Sequence, residues 1–140
     1  MLTTKDKIEQ FKRECRSMDY YHKCVQELND KIEELDVKLT GLASTNSDQP
    51  KCENAKDPYK DRKPALIVEQ DEYIKERNKY ISRINDVNSK LMKIADENDR
   101  MFITELYINR EYYKNVVNKS NYSDKSAFYR HINKVIAKIV

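Results

Sequence analysis

Arg130 and Asn133 are the two side chains of this sequence whose types suit base reading. A guanidinium can fork onto the O6 and N7 of guanine, and a carboxamide onto the N6 and N7 of adenine. They lie in the stretch KSAFYRHINKVIAKIV, whose apolar residues have helical spacing. Lys119, Lys125, Lys134 and Lys138 are point charges suited to phosphates, while Ser126 and Ala127 are small enough to let a helix approach closely. Other chemistry has no comparable support. Cys15, Cys24 and Cys52 are odd in number and widely separated, which gives neither a disulfide framework nor paired zinc-ligand spacing. His22 and His131 stand far apart on stretches rich in Lys and Tyr and read as surface residues, not as halves of a nucleophile pair. No glycine-rich phosphate loop, nucleophile elbow or metal motif occurs, and the carboxylates fall on charged helix faces, so neither an enzyme nor a bound cofactor is expected.

A helix must present these groups on one side and pack with the other. Phe128, Ile132, Val135, Ile136 and Ile139 cluster on one face at 100° per residue, which predicts the packed side. By subtraction the opposite face carries Ser126, Ala127, Arg130, Asn133, Lys134 and Ala137, with Lys125 and Tyr129 at its flanks. Two shorter helices precede it, one centred on Phe102, Ile103, Leu106 and Tyr107 and one from Glu111 to Lys119. Breaks are expected at Ile108-Asn109-Arg110 and at Ser120-Asn121-Tyr122-Ser123, where Asn tolerates a left-handed backbone and Ser123 or Asp124 can cap the last helix. That arrangement predicts a helix-turn-helix. Tyr112, Tyr113 and Tyr122 suit half-buried positions in either a packing or a binding role.

Charge is concentrated in the same region. From Arg110 onward seven basic residues face only Glu111 and Asp124, a net +5, which leaves −2 on the first 109 residues of a chain whose total is +3. A positive field localised on one segment suits a polyanion more than an apolar partner.

The preceding two-thirds of the chain is scaffold in character. A short amphipathic helix capped by Thr3 or Thr4 should turn Ile8, Phe11 and Cys15 inward. From Met18, the residues Tyr21, Val25, Leu28, Ile32, Leu35, Leu39 and Leu42 succeed one another in steps of three and four, a heptad seam, with Gly41 placed to end the helix. All three prolines fall in a polar stretch read as a linker, after which Tyr73, Tyr80, Ile84, Val87, Leu91 and Ile94 form a second seam interrupted by Arg77 and widened by Ile74 and Ile81. Two seams predict either a helical hairpin or a homodimer, with the homodimer favoured. The expected fold is therefore all-α: residues 1–42 an N-terminal helical region, 43–64 a linker, 65–96 a long oligomerisation or scaffold helix, and 97–140 the helix-turn-helix. With 36% charged residues, one glycine and no apolar run near the roughly 20 residues of a membrane span, the chain is expected in the cytoplasm and away from membranes.

The run Leu106 to Val117, with Asn121-Tyr122-Ser123, Phe128-Tyr129-Arg130 and Asn133-Lys134-Val135-Ile136 after it, resembles phage late-gene transcription activators of the ArpU and RinA type. The C-terminal domains of that family are similar to region 4 of sigma factors. The likeness covers about the last forty residues. It extends weakly to Tyr20-Tyr21-His22-Lys23, and Val116-Val117 stand where the family pattern has an Ile-Ala pair. It implies sequence-specific binding of double-stranded DNA inside a bacterial host cell, with Tyr129 and Arg130 on the recognition helix. The competing expectation is a coiled-coil interaction protein that meets RNA polymerase or another protein.

Overall fold

The computed structural model describes residues 2–45 and 63–140, all helix and connection with no strand among them. Among the described residues six α-helices occur in order: α1 (Thr4–Arg16), α2 (Met18–Thr45), α3 (Lys63–Met92), α4 (Glu97–Ile103), α5 (Tyr113–Lys119) and α6 (Lys125–Ile139), with a π-helical turn (Thr104–Ile108) continuing α4. Most of the predicted linker, residues 46–62 with Cys52, lies outside the described residues. Among the described residues, no helix is long and apolar enough to cross a membrane.

The helix ends obey local chemistry. Thr3 and Asp6 form a reciprocal capping box, the threonine hydroxyl accepting from the Asp6 amide at 3.1 Å and the carboxylate accepting from the Thr3 amide at 3.3 Å. Pro64 stands in the first turn of α3, where its missing N–H removes no helical bond. One expectation fails: α2 does not stop at Leu39–Gly41 but runs on to Thr45. Gly41 has no positive φ, and a glycine inside a helix costs only about 1 kcal/mol, too little to end one whose other residues favour it. The break after the π-helical turn also differs from expectation. Arg110, and not Asn109, takes the left-handed conformation (φ 56°), because the turn carries Asn109 in right-handed geometry with its amide on the Thr104 carbonyl at 2.9 Å.

The chain forms two compact units, residues 23–81 and residues 1–22 with 82–140. In the first, side chains join α2 and α3 in antiparallel order: Arg77 Nη1 donates to Asn29 Oδ1 at 3.1 Å, Lys31 lies 5.3 Å from the Tyr73 ring centre, and Gln70 Nε2 donates to the Ile32 carbonyl at 3.2 Å. Leu28, Ile32 and Leu35 are buried in this unit, so these seam contacts are made within one chain. Gln70 and Arg77 break the apolar seam, and their bonds to α2 favour this register over a slipped one.

The second unit holds the main core. Phe11 and Cys15 of α1 are buried with Ile103, Val116, Phe128, Ile132 and Ile136, and α1 packs against both α6 and the π-helical turn. Arg100 of α4 closes the end of α3, its Nη2 donating to the Ile94 carbonyl at 2.7 Å and its Nε to the Leu91 carbonyl at 3.2 Å. Lys12, 7% exposed, is held by Glu9 at 3.7 Å and lies 5.4 Å from the centre of the Tyr107 ring; its burial lowers its pKa.

Burial raises the Cys15 thiol from its ordinary 9.0 to about 12, with Glu14 adding to the shift. The unfolded thiol ionises from pH 9 upward while the folded one stays protonated, so the folded state binds more protons through that window. Stability should accordingly fall as pH rises from 9 toward 12, and part of that slope should vanish in Cys15→Ala. Urea midpoints at pH 7, 9 and 10.5 measure it; equal slopes in the two proteins would exclude the thiol as a source.

Candidate nucleic-acid interface

The connection between α5 and α6 is short and held by side chains. The Ser120 hydroxyl donates to the Val117 carbonyl at 2.6 Å and accepts from the Tyr122 amide at 3.2 Å, which closes α5 without a left-handed residue at Asn121. Asp124 then caps α6, its carboxylate accepting from the Ser126 amide at 3.2 Å.

Packing fixes how α6 is rotated. Phe128, Ile132 and Ile136 are each 0% exposed and stand at steps of four, with Ile139 buried beside them and Val135 half-buried. Ser126, Arg130, Lys134 and Lys138, also at steps of four, are all exposed on the opposite side. This stripe is about 18 Å long at 1.5 Å per residue, and no carboxylate side chain occurs anywhere in α6 to neutralise it. Lys125 is exposed at the helix start with its Nζ 4.2 Å from the Tyr113 ring centre.

Two of the other predicted contacts are placed less openly. Tyr129 is half-buried, 5.6 Å from the Phe128 ring, and burial raises the pKa of its hydroxyl while nearby Arg16 of α1 opposes the shift. Asn133 is half-buried, with Oδ1 enclosed and without a hydrogen-bond partner among the described residues. Both lie on the side of α6 that turns from the exposed stripe toward the core, so neither stands in the stripe with Arg130. Lys119 sits 3.3 Å from Glu105 Oε1 and 3.9 Å from Glu111 Oε2, its charge largely compensated. Six of the eight predicted residues are exposed: Ser126, Arg130, Lys134 and Lys138 along one stripe of α6, Lys125 at its start, and the ion-paired Lys119 on α5.

Three features were not foreseeable from the sequence pattern. Arg16, more than a hundred positions before α6, has its guanidinium 5.5 Å from the Tyr107 ring and close enough to Tyr129 to affect its pKa. Only its place in the last turn of an amphipathic helix gave any signal. His131, expected at the surface, is instead half-buried with Nε2 2.8 Å from Asp99 Oδ1. A carboxylate can only accept, so the ring N–H donates to it. Tyr122 covers the same imidazole at 5.4 Å, with the rings 30° apart. Asp99 is only 9% exposed, so His131→Ala leaves a buried acceptor unpaired and should lower stability by about 1–3 kcal/mol. Urea unfolding measures this, and an unchanged midpoint would mean that solvent replaces the imidazole without loss.

Among the described residues, no group of three or more His, Cys, Asp or Glu is arranged to hold a metal ion. No protein-family model matches the sequence, and comparison with curated proteins and with solved structures finds no match either.

Proposed function

We propose that this chain is a sequence-specific regulator of transcription that binds double-stranded DNA, with α5, the Ser120-centred turn and α6 acting as a helix-turn-helix. The observation that carries the reading is the acid-free stripe of Ser126, Arg130, Lys134 and Lys138 opposite the buried Phe128, Ile132 and Ile136. A helix entering the major groove needs an uncompensated positive face, one or two donors able to fork onto base edges, and firm packing behind. Arg130 takes the base-reading role, Lys134 and Lys138 the phosphates, and Ser126 the close approach near the helix start. The resemblance to phage late-gene activators of the ArpU and RinA type suggests activation of a phage or prophage promoter in a bacterial cell. In that context Arg16 and Tyr129 would lie along the flank of the bound duplex.

The competing reading, a protein that engages RNA polymerase or another protein and leaves DNA alone, draws support from one observation. Tyr129, Asn133 and Lys119 are turned inward or paired, which narrows the edge available for bases. A mobility-shift titration with DNA flanking the protein's own gene, against unrelated competitor DNA and over a range of salt, separates the two. The DNA reading expects a specific shift that weakens steeply as salt rises. No shift at low salt overturns it in favour of a protein partner.

A further inference from the structure

In the unit of residues 23–81, α3 carries a second apolar row beside the one that meets α2. Ile67, Ile74 and Ile81 recur every seven residues, next to Gln70 and Arg77, whose side chains already reach across to α2. Ile67 is 43% exposed and its neighbour Val68 59%, while Ile74 and Ile81 are half-buried. Isoleucine repeated at heptad spacing along a flank is the pattern of a helix with two neighbours, and among the described residues of this unit α3 has one seam partner, α2.

The charges on α3 indicate which neighbour fits. Between Ile67 and Ile81, Glu69, Asp71 and Glu72 precede Ile74, a net −3, and Lys75, Arg77 and Lys79 outweigh Glu76 after it, a net +2; at 100° per residue Asp71 and Lys75 border the isoleucine row on the same side. We infer that a second copy of this chain docks here, its α3 antiparallel to the first about a two-fold axis at Ile74. Ile74 then meets its own copy and Ile67 meets Ile81, along about 21 Å of helix. The two-fold sets Asp71 of each copy within one turn of Lys75 of the other, and it places the net −3 before Ile74 alongside the net +2 after it. Such a surface is self-complementary, as a two-fold interface must be. The inference stands on α3 alone and does not depend on the DNA reading.

Light scattering on the full chain tests it, with an expected mass twice the 16.7 kDa of one chain. Ile74→Glu puts two like charges on the axis and should halve that mass while the far-UV circular dichroism stays unchanged. A full chain that is monomeric at every soluble concentration, or a folded Ile74→Glu that remains dimeric, overturns the inference. Geometry is tested separately in a Cys24→Ser, Cys52→Ser background. Ile74→Cys should cross-link to itself on oxidation, and Ile67→Cys should cross-link to Ile81→Cys but not to itself. Self-cross-linking of Ile67→Cys would establish a parallel pairing and overturn the proposed axis, whatever the fate of the glutamate variant.

Discussion

Phe128→Ala is expected to lower stability by about 3–5 kcal/mol, the range for removing a fully buried aromatic ring and leaving a cavity. Phe128 is 0% exposed and its ring is met from three directions: by Phe102 of α4 at 5.7 Å edge to face, by Tyr122 of the connection at 6.3 Å, and by Tyr129 of its own helix at 5.6 Å. Each contact has offset or edge geometry, which adds to the area buried. Few backbone segments are free to collapse into the space, because α6 is also fixed to α4 through His131 and Asp99. A domain of ordinary stability has about 5–15 kcal/mol in all, so the loss should be visible as a large shift of the urea midpoint. The chain forms two compact units, so the curve should be tested for a second transition before one midpoint is quoted. A shift worth under about 1 kcal/mol would show that the ring is not a core element. The variant also serves as a control for DNA work, because it impairs binding through the fold without touching an exposed side chain.

The C-terminal core was legible in the sequence because a single helix face is a local property. Periodicity alone named Phe128, Ile132, Val135, Ile136 and Ile139, all buried except the half-buried Val135, and of the opposite face obtained by subtraction Ser126, Arg130 and Lys134 are exposed while Ala127, Asn133 and Ala137 are half-buried. The limits of each helix were readable where a side chain bonds its own backbone, as with Thr3 and Asp124, and unreadable where the outcome depends on a sum of weak preferences. Gly41 is the example, a stop signal overridden by the helix around it. Contacts between distant segments were not legible. Periodicity says that α1 has an apolar face but not that α6 and the π-helical turn lie against it, so nothing forecast Arg16 beside Tyr129 or Lys12 beside Tyr107. The same blindness explains Asn133 and His131. Each lies on α6 where about 40° of rotation decides between an exposed and a half-buried setting, and only the packed neighbours fix that angle.

Those neighbours make Arg130 the side chain on which specificity should turn. Arg130→Ala is expected to weaken binding to the cognate site by about 1–3 kcal/mol, or roughly 5- to 150-fold in Kd, the range for one bidentate contact to guanine. Its position is the reason: it is exposed in the centre of the stripe, one turn beyond Ser126 and one before Lys134, while Asn133 has its carboxamide oxygen enclosed. The loss should be far smaller on unrelated DNA, so that the specificity ratio collapses. Lys134→Ala and Lys138→Ala should instead weaken all sequences alike and each reduce the salt slope by about one. The comparison distinguishes three roles by pattern. A loss confined to the cognate site assigns Arg130 to a base, an equal loss on all DNA with a shallower salt slope assigns it to phosphate, and no loss on any DNA removes α6 from the interface. The substitution lies opposite the core and leaves Phe128, Ile132 and Ile136 untouched, so unchanged urea unfolding is part of the expected result and separates a lost contact from a lost fold.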